Sequence, residues 1–150
     1  MTIKTKTEYL SKTLLDIYDS ANSISENNRK GNEDLFYEIA QEHEILLAGN
    51  AGNISGWLSY TINARKQAFI SGLYVAREHQ RKGIAGQLMN ELKGCAPDCV
   101  LWAKVLKNSA WAREFYLKNG FAALDEDSVL SSELGQPVKD EPWALVFARA

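Results

Sequence analysis

The stretch "LYVAREHQRKGIAGQLMNEL", residues 73–92, decides how the rest of the chain is read. Its first residues complete "AFISGLYV", an apolar run with the composition of a strand. Its last residues put Ile84, Leu88, Met89 and Leu92 on one face of a helix. Between them lies "QRKGIAG", residues 80–86, in which two cations precede a run almost free of side chains. A helix start leaves four backbone N–H groups without partners and carries about half a positive charge. A phosphate satisfies both demands where side chains do not block it. Gly83, Ala85 and Gly86 clear that approach, and Arg81 and Lys82 add charge. The corner therefore reads as an anion site, a pyrophosphate foremost. The Walker motif fails because Lys82 precedes the glycine rather than following it, and the three-glycine dinucleotide fingerprint fails on register. The plain alternative is a glycine-containing helix start that binds nothing.

Working outward, residues 2–7 are expected to form a short first strand. "YLSKTLLDIYDSANSI" spaces Leu10, Leu14, Ile17, Tyr18, Ala21 and Ile24 as a helix, and "EDLFYEIAQEH" is a second one. "EILLAGNAGNISGWLSYTIN" is a hairpin about a Gly/Asn turn, with Trp57, Leu58, Tyr60 and Ile62 on its second strand. After the central helix, expected to stop at Gly94, "CVLWAKVL" is a continuous apolar strand opened by Cys99. "NSAWAREFYLKNG" is a helix with Asn108 and Ser109 as cap candidates and Gly120 as its stop. A short strand near 121–124, a loop to Pro142 and the strand "WALVFAR" complete the chain. The pattern predicts one mixed α/β domain with a mostly antiparallel sheet.

The totals narrow the function classes. The 150 residues suit one domain, and no apolar run approaches the ~20 residues of a membrane span. "MTIKTKTEYL" lacks the apolar centre of a secretory signal, so a cytoplasmic, membrane-free protein is expected. Cys95 and Cys99 in "CAPDC" are too few for a closed zinc site and read as structural thiols; no metal is expected. A net charge of −2 argues against a nucleic-acid surface. Five carboxylates crowd residues 33–44 (Glu33, Asp34, Glu38, Glu42, Glu44), and six lie in 125–141 against Lys139 alone. Such blocks are ordinarily solvated faces. Trp102 and Trp143 read as core; Trp57 and Trp111 could line a channel, though packing suits them better.

"LYVAREHQRKGIAGQLMNEL" resembles the coenzyme-A signature of the GNAT superfamily of N-acetyltransferases, with Gln80, Gly83 and Ala85 at its fixed positions. Some 25 residues on, "SAWAREFYLKNGF" resembles the family's second signature, with Ala112, Phe115, Tyr116, Lys118, Gly120 and Phe121 in register. The resemblance implies an α/β (α+β) fold: a mixed, mostly antiparallel sheet of six to seven strands flanked by about four helices. It implies acetyl-CoA as cosubstrate and an amine acceptor, either a small molecule or a peptide. The backbone from Leu73 to Val75 would pair with the pantetheine arm, and residues Gln80, Arg81, Lys82, Gly83, Ile84, Ala85 and Gly86 would hold the pyrophosphate. Asn108, Ser109, Ala112 and Phe115 would lie along the cofactor, with the acetyl thioester near Tyr116. Dimers are common in the family. Two departures stand out: Ser109 replaces the second signature's asparagine, and Phe69 stands where some members carry a glutamate base.

The implied reaction is attack of a neutral amine on the thioester. A lysine-like amine is neutral about once in 2,500 molecules at pH 7, so deprotonation costs roughly 4–5 kcal/mol. The leaving thiolate also needs a proton, and Tyr116 is the candidate general acid. Glu38, Glu42, His43 and Glu44 are candidate bases, with Glu78 and His79 behind them. If both acidic blocks border the acceptor, they favour a cationic amine such as a polyamine, an aminoglycoside-like molecule or a lysine. The rival reading is an acyl-CoA-binding sensor or regulatory module with little or no catalysis.

Overall fold

The computed structural model describes residues 6–22, 33–50, 52–106, 108–124 and 144–149. Among the described residues the elements are α1 (Lys6–Asn22), α2 (Glu33–Glu42), β1 (Glu44–Asn50), β2 (Asn53–Ile62), β3 (Gln67–Val75), a 3-10 turn (Arg77–His79), α3 (Ile84–Cys95), β4 (Val100–Leu106), α4 (Ala110–Lys118), β5 (Ala122–Ala123) and β6 (Ala144–Arg149). Six strands run in the order β1-β2-β3-β4-β6-β5, mostly antiparallel. The fold is the mixed α/β arrangement expected from the sequence. The chain clusters into two compact units: Met1–Thr61 with Ser71–Cys95, and Ile62–Ile70 with Ala96–Ala150. Strand β3 passes from the second to the first.

In the first unit, β1 and β2 pair from Glu44↔Tyr60 to Asn50↔Asn53, with a register shift at Ala48/Gly49. Leu14, Leu15 and Ile17 of α1, Phe36 and Ile39 of α2, Trp57 and Ala76 form a buried cluster there, with Tyr18 and Tyr74 against them. Trp57 is wholly buried and donates its indole N–H to the Leu14 carbonyl oxygen at 3.1 Å. Its ring meets Phe36 edge-on at 5.7 Å and Tyr74 at 5.1 Å. A buried tryptophan needs such a partner for its one donor. Of the two readings of Trp57, packing is the one the structure bears out.

In the second unit, β4 pairs with β6 antiparallel from Leu101↔Arg149 to Leu106↔Ala144, and β5 adds to β6. Residues Gln67–Phe69 of β3 pair in parallel with Val100–Trp102 of β4, and Phe69 meets Trp102 at 4.4 Å. That ladder ends at Phe69↔Trp102, whereas β3 runs on to Val75 and β4 to Leu106. The turn into β3 is held by Asn63, whose side-chain oxygen accepts from the N–H of Arg65 and of Gln67 at 3.0 Å each.

Several expectations need correction. Lys6 and Thr7 lie in α1, not in a first strand; residues 2–5 fall outside the described residues. Helix α3 includes Gly94 and ends at Cys95, and β4 begins at Val100, one residue after Cys99. Trp111, expected to pack, is 62% exposed. Ser109 occupies the N-cap of α4 but its side chain makes no capping hydrogen bond. Trp143 and the loop to Pro142 lie outside the described residues.

Gly72 is required by Trp57. A Cβ there would sit 2.5 Å from Cζ3 and 2.6 Å from Cη2 of the indole. The Gly72→Ala variant is expected to lose about 1–3 kcal/mol of unfolding free energy, as overpacked cores do. Denaturant titration checks this; an unchanged midpoint would contradict the packing described.

Candidate active site

The glycine corner is built from the end of β3. Ala76 N–H donates to the Ser55 carbonyl oxygen at 2.8 Å, and Arg77 N–H donates to the Ser20 hydroxyl of α1 at 2.9 Å. The Gln80 side-chain amide donates back to the Val75 carbonyl oxygen at 3.1 Å. Gln80 thus braces the corner against the strand it leaves. Two residues then take left-handed backbone, Arg81 at φ 64° and Gly83 at φ 79°. For an arginine this conformation costs roughly 1–2 kcal/mol, and such strain gathers where geometry serves a site.

Helix α3 opens at Ile84, and the Gln87 N–H is the first to bond back, to the Gly83 carbonyl oxygen at 3.0 Å. The N–H groups of Ile84, Ala85 and Gly86 precede that ladder and are the orphan donors of the helix start. Arg81, Lys82 and Gly83 are exposed. A Cβ at Gly83 or Gly86 would meet nothing within 4 Å, so the space over the corner is open. Leu73, Val75 and residues 80–86 are therefore brought together in the first unit, as a strand end followed by a turn that opens a helix with unfilled N–H donors.

The second signature folds as α4 in the second unit. Phe115 is half-buried and stacks on Trp111 at 5.4 Å with planes 10° apart; Ala112 is half-buried and Asn108 exposed. Tyr116 is 6% exposed, edge-on to Phe115 at 5.4 Å and to Phe121 at 5.0 Å. Its carbonyl oxygen accepts from the Phe121 N–H at 3.0 Å, closing the helix at Gly120, where φ is 88°.

The candidate bases separate on geometry. Glu38, Glu42, Glu44 and Glu78 are exposed. His79 is half-buried at the 3-10 turn. His43, half-buried, places Nδ1 at 2.7 Å from the Ser71 hydroxyl, and Ser71 lies 2.7 Å from the Ser59 hydroxyl. Neither serine emerged from the sequence reading. The available signal was a serine inside each of two apolar strand runs, "GWLSYTI" and "AFISGLYV". Cys95 and Cys99 are free thiols. Among the described residues no three His, Cys, Asp or Glu groups are placed to hold a metal ion, and no helix is long and apolar enough to cross a membrane.

Comparison with known proteins agrees with this architecture. The model of the acetyltransferase (GNAT) family matches residues 11–121, and the chain belongs to that family of acetyl-CoA-dependent enzymes. Similar solved structures include the PaiA N-acetyltransferase of Thermoplasma acidophilum in complex with coenzyme A (18% identity, TM-score 0.65, covering 95% of this chain and 91% of that one). Another is the ribosomal-protein-alanine N-acetyltransferase of Brucella melitensis (21%, TM-score 0.62, covering 99% and 98%). A third, a candidate streptothricin acetyltransferase of Bacillus anthracis in complex with acetyl coenzyme A, is 20% identical with a TM-score of 0.56. That match covers 71% of this chain, which spans only 61% of the Bacillus protein. A search of curated proteins gave no match.

Tyr74, between Leu73 and Val75, stays protonated near neutral pH. Burial, then the neighbouring Tyr18, pushes its hydroxyl from 10.0 up to about 12. A raised phenol pKa stabilises the fold fully below pH 10 and loses that contribution as pH climbs through 12. Unfolding free energy is expected to fall between pH 10 and 12, and less steeply in Tyr74→Phe. Parallel pH curves for the two proteins would contradict it.

Proposed function

We propose that this chain is an N-acetyltransferase that moves the acetyl group of acetyl-CoA to a primary amine by direct attack. The observation that carries this is the corner at residues 81–86, where left-handed backbone, two cations and the free N–H groups of a helix start meet open space. There the cofactor's pyrophosphate would be held. The β3 backbone from Leu73 to Val75 would pair with the pantetheine arm; in its favour, the ladder to β4 ends at Phe69. On α4, Asn108, Ser109, Ala112 and Phe115 are the proposed cofactor contacts and Tyr116 the proposed acid for the departing thiolate. Acetyl-CoA, when bound, supplies the activated acyl group. The protein's part is to hold the anion, align the thioester and manage two protons.

For the acceptor we propose a cationic amine. Glu38 and Glu42 stand exposed on α2 and would raise the local concentration of a polycation. The second acidic block, 125–141, lies outside the described residues.

The direct test is release of CoA thiol from acetyl-CoA at mildly alkaline pH against polyamines, an aminoglycoside, free lysine and peptides with free N-termini. Turnover with an amine is expected. Acetyl-CoA binding without release on any of them would replace the enzyme with a binding module. Tyr116→Phe is expected to lower kcat about 10²-fold while leaving acetyl-CoA affinity unchanged; full turnover would remove its role. Glu38→Gln with Glu42→Gln should raise KM for a polyamine and leave KM for acetyl-CoA alone. An unmoved acceptor KM would retire the acidic-face idea.

A further inference from the structure

His43 follows α2 directly and faces a cavity of about 610 Å³ that it shares with Thr7 and Thr13 of α1, Ala40 of α2, and Ile45 and Leu47 of β1. Its Nδ1 is committed to the Ser71 hydroxyl at 2.7 Å, and Ser71 in turn to the Ser59 hydroxyl at 2.7 Å. Ser59 is fully buried on β2. Nε2 has no hydrogen-bond partner among the described residues. Ser71 lies on β3 two residues before Leu73, about 7 Å along the strand. The pair therefore sits next to the backbone proposed above for the cofactor's arm. Of the candidate bases, only His43 combines partial burial, a fixed ring and a face on a cavity.

We infer that His43 is the proton acceptor for the incoming amine, with Ser71 and Ser59 as the residues that position its ring. This rests on the acetyl-transfer reading. An Nδ1–H donated to Ser71, whose own O–H is donated to Ser59, leaves the Nε2 lone pair directed away from the strand. Nε2 takes one proton from the substrate ammonium, and the freed nitrogen lone pair forms the C–N bond to the thioester carbon. The C–S bond breaks, and its electron pair leaves with the sulfur. The departing sulfur ends with the second proton that the nitrogen sheds, and the His43 proton passes to solvent. The sum is ammonium plus acetyl-CoA giving amide, CoA thiol and one proton. Among the described residues Tyr9 of α1 is the other titratable group lining the cavity; the chain neighbours Glu42 and Glu44 are exposed. No charged side chain of β2 or β3 lines it.

The test uses the full chain with an amine that the wild type acetylates. His43→Asn keeps a side-chain partner for Ser71 but has nothing equivalent to Nε2. It is expected to keep its melting temperature and acetyl-CoA affinity while kcat falls about 10²-fold. His43→Ala should fall similarly and regain turnover with added imidazole. Wild-type-like kcat in His43→Asn, or no rescue of a folded His43→Ala, overturns the inference while the acetyltransferase reading stands. Wild-type silence on every amine fails that reading first, and the base with it. A readout without turnover is the ¹⁵N spectrum of the two histidines. His43 should show the Nδ1–H tautomer in the wild type and a tautomer mixture in Ser71→Ala. An identical ring signal in both overturns the positioning role.

Discussion

Trp57 sets the terms for the first unit. A wholly buried indole must satisfy its single donor, and it does so at the Leu14 carbonyl oxygen in the middle of α1. Its ring must also be covered, and Phe36 of α2 and Tyr74 of β3 cover it. One side chain on β2 thereby fixes two helices and the neighbouring strand. The ring leaves no room for a side chain at position 72, so β3 carries a glycine between Ser71 and Leu73. That packing places two features on either side of Gly72. On one side the Ser71 hydroxyl reaches His43 and Ser59; on the other, Leu73–Val75 leads into the glycine corner.

The corner uses few contacts for its effect. Gln80 ties its start to Val75, and Arg77 ties it to Ser20 of α1. Left-handed backbone at Arg81 and Gly83 then turns the chain so that α3 begins with its donors unfilled. Gly83 is there for its φ and not for space, since a Cβ would touch nothing. Charge from Arg81 and Lys82 is set beside N–H groups that helix geometry leaves without partners. Both contributions favour the same ligand, an anion.

What was legible in the sequence was local. The strand–corner–helix of 68–95, the hairpin of 44–62 and the helical face of Leu88, Met89 and Leu92 follow from period, turn residues and charge within short windows. Packing between distant segments was not. Trp111 and Phe115 stack on each other along α4, which gives Trp111 a partner while leaving it exposed. Lys6 and Thr7 extend α1, although residues 2–7 read as a short strand that lysines at 4 and 6 themselves weaken. The His43–Ser71 bond joins residues 28 apart, so no window of sequence contains it. The base stayed ambiguous among neighbouring acids and histidines because only tertiary contacts separate them.

The central claim is that residues 81–86 hold the pyrophosphate of the cofactor. Calorimetric titration of the protein with acetyl-CoA and with S-acetylpantetheine, which carries the same thioester arm without pyrophosphate, tests it most directly. Two charge-assisted hydrogen bonds at about 1.5–3 kcal/mol each predict at least ~100-fold tighter binding of acetyl-CoA. That preference should shrink sharply in Gly86→Asp, in which a carboxylate enters the open space over the corner at little cost to folding. Equal affinity for the two ligands, or a preference that Gly86→Asp leaves intact, would contradict the account.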